Sequence, residues 1–66
     1  MKFTRNALGY YISENGRYTI RKIYGSWEVT DAFEKEETYR LTKLVGYRDK
    51  ILGYKNTLAE AKALCI

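Results

Sequence analysis

The side chains of this chain that are best suited to chemistry are arginine, tyrosine and threonine in its first half. Arg17, Thr19 and Arg21 alternate along one stretch, so a β-strand would present all three on the same face. Arginine can donate paired hydrogen bonds to guanine or to phosphate, and threonine and tyrosine hydroxyls can donate to phosphate. Such a combination on an exposed sheet favours contact with nucleic acid.

Catalysis has few candidate residues in this sequence. There is no histidine, and Cys65 is the only cysteine, so the chain offers no internal disulfide, no histidine-activated thiol and no cysteine–histidine zinc site. Glu36 and Glu37 are adjacent and are interpreted as part of a solvated turn. The five glycines are spaced like turn residues. We therefore predict that the protein is not an enzyme and uses no metal and no cofactor.

The 66 residues carry a formal net charge of +4 that is unevenly distributed. Segment 31–37 holds four acidic residues and one lysine, and the remainder holds eleven basic and four acidic residues, or +7. A basic body of this kind suits an anionic partner, although simple solubility explains the charge equally well. No apolar run approaches the roughly 20 residues of a membrane helix. A lone thiol fits a reducing compartment, so we expect no membrane partner and a cytoplasmic location.

Turn signals divide most of the chain into strands. Asn15-Gly16 favours a two-residue type I′ hairpin, and Gly25-Ser26 is a second turn candidate. The remaining predictions are a turn or one helical turn at 34–37, a strand at 38–45, a turn at 48–50 and a short strand at 51–54.

The C-terminal segment predicts one short helix. Thr57 and Glu60 have the spacing of a capping box. Apolar side chains then fall on one helix face, which should pack on a sheet: Leu58, Ala61, Leu64 and Cys65. The predicted fold class is α+β, a single domain over 1–66 in which a small antiparallel sheet of three to five strands packs against this helix.

The predicted hairpins assign side chains to two faces of the sheet. The first turn pairs Tyr11 with Ile20, and the second pairs Tyr24 with Trp27. The more apolar face should form the core: Tyr11, Tyr18, Ile20, Tyr24, Trp27 and Val29. Lys22 also falls on it, with a stem that reaches outwards. The other face should be exposed: Tyr10, Ile12, Arg17, Thr19, Arg21, Ile23, Glu28 and Thr30.

From Leu52 to Ala61 the sequence is Leu-Gly-Tyr-Lys-Asn-Thr-Leu-Ala-Glu-Ala, and Trp27 lies upstream in a predicted strand. This order resembles the sheet-plus-helix DNA-binding domains of plant ethylene-response factors and the arm-site-binding domains of phage-type tyrosine integrases. In those families a Leu-Gly-Phe-x-Thr-x-x-Glu-Ala pattern leads into the helix, and a three-stranded sheet enters the major groove. Carried over by position, the resemblance implies DNA contacts from residues of the exposed face: Arg17, Thr19, Arg21 and Glu28, with Lys22 in addition.

Two partner classes stay open at the level of sequence. The first is double-stranded DNA, bound through an exposed basic sheet face whose candidate residues are Tyr10, Arg17, Thr19, Arg21, Lys22 and Glu28. The alternative is a host protein such as a defence nuclease, because the chain is similar in size and tyrosine content to small phage-type inhibitors that include anti-CRISPR proteins. That function would use exposed aromatics such as Tyr39, Tyr47 and Tyr54 together with the acidic segment, or it would use an edge strand. A homodimer that hides part of the sheet is a third possibility.

Overall fold

The computed structural model describes residues 1–65. Five antiparallel strands form one sheet in chain order, and one helix follows them. Their bounds are β1 Phe3–Arg5, β2 Tyr11–Ser13, β3 Tyr18–Ile23, β4 Ser26–Arg40, β5 Lys43–Lys55 and α1 Leu58–Ala63. The predicted antiparallel sheet with a C-terminal helix is confirmed at this level. The structure is mostly sheet, so α+β describes it only loosely.

The first hairpin has the predicted register but a different turn. Tyr11 pairs with Ile20, as expected. A type I′ turn requires positive φ at both central residues, and of Asn15 and Gly16 only the glycine has it, with φ 73°. The Gly16 N–H donates to the Ser13 carbonyl over 2.9 Å. The loop between β2 and β3 comprises residues 14–17. It is stabilised by the Asn15 side chain, which accepts from the backbone N–H of Arg17 over 3.0 Å.

The second hairpin turns one residue earlier than predicted. Tyr24 and Gly25 form its loop with φ 48° and 81°, so Tyr24 is fully exposed and the predictions that it pairs with Trp27 and joins the core are wrong. The observed register sets Ile20 opposite Val29, whereas the predicted one sets Lys22 there. Because the pairing shifts by two residues, the other side chains within β3 and β4 keep their predicted faces.

The third hairpin differs most from prediction. β4 runs through the acidic segment without a turn, and the chain reverses at Leu41 and Thr42. The predicted turns at 34–37 and 48–50 and the continuous strand at 38–45 are therefore wrong. Cross-strand charge pairs explain the outcome, since Glu36 pairs with Arg48 and Lys35 with Asp49. These opposite charges stabilise the strand pairing in the segment where the acidic composition had predicted a turn.

The hydrophobic core lies between the helix and one face of the sheet. Its buried members are Tyr18, Ile20, Val29, Ala61 and Cys65, and Leu58 and Leu64 pack against them, so the predicted helix face is confirmed. The predicted N-cap also forms, because the Thr57 hydroxyl accepts from the Glu60 N–H over 3.2 Å. The Glu60 carboxylate accepts from that hydroxyl over 3.0 Å, whereas in a full capping box it accepts from the backbone N–H of the cap residue. Within residues 1–65, no helix is long and apolar enough to cross a membrane.

Beyond the core, β4 and β5 continue as a two-stranded extension, residues 35–49, which we call the arm. The register between the strands shifts between Asp31 and Lys35, so that 32–34 form a bulge where the arm begins. None of the residues 35–49 is buried. The fold thus consists of a packed half and a thin extension that shares the same two strands.

Candidate functional site

The sheet face opposite the helix forms a concave pocket of about 420 Å³, which we call the concave face. Its lining residues come from the central strands, the loop before β2 and β5: Tyr10, Thr19, Arg21, Glu28, Thr30, Arg48, Asp49, Ile51 and Tyr54. Four of the six predicted site residues therefore lie together here: Tyr10, Thr19, Arg21 and Glu28. Alternation of side chains along β3 and β4 predicts this for the last three, whereas Tyr10 comes from the loop before β2.

Glu28 is the centre of the concave face, with a relative exposure of only 3%. One carboxylate oxygen accepts from Arg21 Nε over 2.9 Å, and the other accepts from the Tyr54 hydroxyl over 3.0 Å. The hydrogen bond to Glu28 raises the pKa of Arg21, and the bond donated to Glu28 raises the pKa of Tyr54. The buried charge is therefore compensated, as burial requires.

Arg21 is held in place from a second side. Its Cζ atom lies 5.9 Å from the centre of the Tyr10 ring, within the range of a cation–π contact. Its side chain is 43% exposed, and the hydrogen bond to Glu28 engages only Nε. The terminal nitrogens of Arg21 can therefore donate to a ligand that enters the concave face.

The lining of the concave face has no net formal charge. Arg21 is matched by Glu28, and Arg48 and Asp49 balance each other. Arg48 and Asp49 also pair across the strands, with Glu36 over 2.9 Å and with Lys35. The positive excess of the chain consequently lies on other surfaces.

Arg17 does not share the concave face with Arg21. It precedes β3 rather than lying within it, so strand alternation does not set its direction. Its guanidinium donates to both Asp31 oxygens over 2.9 and 2.8 Å and stacks 5.1 Å from the Tyr18 ring centre. The hydrogen bonds from Arg17 lower the pKa of Asp31. Its prediction as a residue of the exposed face with Arg21 is wrong, because the guanidinium closes the loop against β4 instead.

Lys22 lies on the helix side of the sheet, opposite Arg21. Its Nζ atom is 5.5 Å from the Trp27 ring centre, and Lys55 pairs with Trp27 on the other neighbouring strand. Lys62 of the helix lies over Phe3 and Tyr11 at 5.7 and 5.5 Å. Sequence reasoning missed Lys55 and Lys62 as residues of the helix side. The place of Lys55 beside Trp27 depends on the register of β5, and the place of Lys62 over Phe3 and Tyr11 depends on the docking of the helix.

The arm exposes large apolar side chains, and none of them belongs to the hydrophobic core of residues 1–65 or packs against it. Residues paired directly across strands share a face, so the pairs Tyr39–Leu44 and Glu37–Tyr47 place two tyrosines and a leucine together. We call this the apolar arm face. Exposure is high along the arm: Tyr39 56%, Leu41 97%, Leu44 43%, Val45 61% and Tyr47 66%. Tyr39 and Tyr47 were foreseen as exposed aromatics, whereas for Leu44 and Val45 the sequence predicted a strand and no exposure.

The one thiol of the chain lies in the core. Cys65 is 1% exposed, and its thiol lies 3.7 Å from the Ala61 carbonyl. Burial raises the pKa of this thiol, which disfavours the nucleophilic thiolate. Among residues 1–65, no group of three or more cysteine, aspartate or glutamate side chains could hold a metal ion.

Comparison with known proteins adds no relative: no family model, no curated protein and no solved structure matches the chain. The resemblance to sheet-plus-helix DNA-binding domains therefore stays a prediction. The candidate binding surfaces are the concave face, the lysines on the helix side and the arm.

Proposed function

We propose that the chain is a non-enzymatic binding module that contacts a partner protein through the apolar arm face. The observation that carries this proposal is the high exposure of Tyr39, Leu44 and Tyr47 on one side of a hairpin with no buried residue. A phage-type inhibitor of a host defence protein, such as an anti-CRISPR protein, is one form of this function.

Energetics supports a binding role for the arm. A two-stranded hairpin by itself is marginally stable in water, and this one extends beyond the core with its apolar side chains in solvent. Tyrosine is enriched among the residues that dominate protein interfaces, because it buries a large rigid area at a low entropic cost. A partner that covers Tyr39, Leu44 and Tyr47 would remove this surface from water and order the hairpin.

The test compares arm variants with a matched tyrosine elsewhere. The purified chain is immobilised and exposed to nuclease-treated lysate, and retained proteins are identified by mass spectrometry. We expect a partner that binds the wild type and Tyr24→Ser but not the double variant Tyr39→Ser/Tyr47→Ser. Tyr24 is a suitable control because it is fully exposed in a different loop. Retention that is equal for all three proteins would exclude the apolar arm face as the contact.

A second candidate function is binding of double-stranded DNA through the concave face. The observation that favours it is the placement of Arg21, which Tyr10 and Glu28 hold while its side chain stays 43% exposed and lines the concave face with Thr19. Held in this way, arginine loses less side-chain entropy when it contacts guanine or phosphate. Lys22 and Arg17 lie elsewhere and would contribute only through the overall charge.

Fluorescence anisotropy with mixed-sequence duplex DNA at about 50 mM salt tests the second candidate. We expect affinity that falls with salt and is lost in the paired variant Arg21→Gln/Glu28→Gln, which keeps neutral hydrogen-bonding groups in the buried site. Lys22→Gln is the control for charge on the opposite face. Absence of duplex binding at low salt would rule out this function.

A further inference from the structure

The two long strands differ in charge over their full lengths, within the arm and beyond it. β4 carries five acidic and two basic residues, a formal charge of −3, whereas β5 carries four basic residues and one acidic, or +3. Five of the eight acidic residues of the chain lie in β4. The basic strand therefore already pairs with an acidic strand along one of its edges.

The other edge of β5 is open. Among residues 1–65 the strand order is β1-β2-β3-β4-β5, so within that range β5 has a neighbour on one side only. The strand is 13 residues long, well above the usual length of about 5–6 residues. A long edge strand presents unpaired N–H and C=O groups that can accept a further strand. The segment 43–50 consists of the β5 part of the arm and the adjoining Lys50, and none of its residues is buried.

Charge decides which strand the edge can accept. Arg48 and Asp49 have ion-pair partners on β4, whereas Lys43, Lys50 and Lys55 have no carboxylate within ion-pair distance among residues 1–65. A second copy of β5 added at this edge would place lysines and arginines beside their own kind, which destabilises cross-strand pairs. An acidic strand would gain from the same charges.

We infer that the outer edge of β5 accepts an extended acidic segment of a partner protein by strand addition, so that the basic strand lies between two acidic strands. This inference rests on the proposed protein-binding function and specifies the chemistry of the partner. The apolar arm face lies beside this edge, so that apolar residues of the added segment can pack against Leu44 or Tyr47 while its backbone pairs with β5.

The probe for this inference is a short synthetic peptide in which glutamate alternates with valine and threonine. Its control is the same peptide with lysine in place of each glutamate. Binding is followed by NMR chemical-shift changes and by hydrogen exchange of the protein amides. We expect the acidic peptide to shift amides of 43–50 and to slow their exchange, and the lysine peptide to leave them unchanged.

Charge-reversed variants locate the binding edge. Lys43→Glu/Lys50→Glu should weaken the acidic peptide about tenfold, because two favourable cross-strand charge pairs become repulsive. Lys2→Glu/Arg5→Glu makes the same charge change at β1, the opposite edge of the sheet, and should keep the wild-type affinity. Urea unfolding of both variants confirms that each is folded.

Several outcomes would overturn the inference. One is equal binding of the two peptides, another is an acidic peptide that shifts residues outside β5, and a third is the absence of binding. If sedimentation shows a dimer and hydrogen exchange shows that its β5 amides are protected, the edge belongs to a second copy of the chain. If lysate capture depends on Tyr39 and Tyr47 but not on Lys43 and Lys50, the proposed function survives and the acidic-strand inference does not. If neither pair affects capture, both fail.

Discussion

The same two strands, β4 and β5, are stabilised in different ways at their two ends. Near the helix, Val29 is fully buried opposite Ile20, and Leu52 packs against the same cluster. In the arm, no residue is buried, and opposite charges such as Glu36 and Arg48 face each other across the ladder. Apolar burial orders one half of the hairpin, and cross-strand charge pairs and backbone hydrogen bonds order the other.

The difference indicates where stability and function reside. Burial of apolar side chains contributes most of the free energy of folding, so the core half should determine the stability of the whole chain. Exposed ion pairs contribute little, which leaves the arm free to change its surface without a large cost in stability. A binding surface on the arm can therefore vary while the fold persists.

The largest expected effect comes from truncating Ile20, which is fully buried. Ile20→Ala removes buried apolar volume and should lower the free energy of unfolding by about 2–5 kcal/mol. Leu44→Ala is the matched change in the arm and should alter it by less than about 0.5 kcal/mol. Urea unfolding followed by tryptophan fluorescence measures both. If Ile20→Ala does not fold, Ile20→Val should still show a loss of about 0.5–1.5 kcal/mol. Equal effects at the two positions would contradict the proposed division.

Removal of a buried carboxylate should have the next largest effect. Glu28→Ala leaves Arg21 and Tyr54 without their shared acceptor, so the free energy of unfolding should fall by about 1–3 kcal/mol. Glu36→Ala breaks an equivalent arginine pair in the arm, but this carboxylate is 33% exposed against 4% for Glu28, so the loss should stay below about 1 kcal/mol. Chemical denaturation of both variants makes the comparison. A larger loss for Glu36→Ala would show that the arm ladder carries more of the stability than its exposure indicates.

The same division explains what could be predicted from the sequence. The helix and its packed face were predictable because capping and apolar spacing are local signals, as Thr57 and Ala61 show. The sheet faces survived a misplaced turn because the register between β3 and β4 differs from the predicted one by two residues, which leaves side chains such as Ile20 and Val29 on the same face. The arm was not predictable in this way, because its strands are specified by charges that pair only after the chain has reversed at Leu41.

The candidate sites follow the same rule. Tyr10, Thr19, Arg21 and Glu28 were brought together correctly because alternation within strands is a local property. Arg17 was misplaced because it precedes the strand and finds Asp31, a residue distant in sequence. The position of β5 at an edge of the sheet could be learned only from the strand order, which no local pattern supplies.

A smaller effect is expected at the helix cap. Thr57→Ala removes the hydroxyl that accepts from the Glu60 N–H, and such a change costs about 1 kcal/mol. Thr42→Ala, in the exposed loop at the tip of the arm, is the matched control and should be close to neutral. Thermal unfolding by circular dichroism distinguishes them. Equal midpoints for the two variants would mean that the helix contributes less to the packed half than its contacts with the sheet indicate.

The smallest expected effect concerns Asp31, where β4 leaves the core for the arm. Its carboxylate accepts from Arg17 and from the Phe33 N–H, and the bonds from Arg17 lower its pKa in the folded state. A lowered folded pKa contributes stability that is present above the unfolded value of about 3.9 and is lost as the pH falls through the folded value.

The wild type should therefore be more stable than Asp31→Asn at neutral pH, and the difference should shrink as the pH falls below about 4. We expect it to be modest because the Arg17 side chain is 34% exposed, so that solvent screens the pair. Urea midpoints measured from pH 7 downwards give the profile for each protein. Parallel profiles would mean that the Arg17–Asp31 pair does not stabilise the junction between the core and the arm. The bulge at 32–34 would then be held by backbone hydrogen bonds alone, such as the one that the Ala32 N–H donates to the Arg17 carbonyl over 2.7 Å.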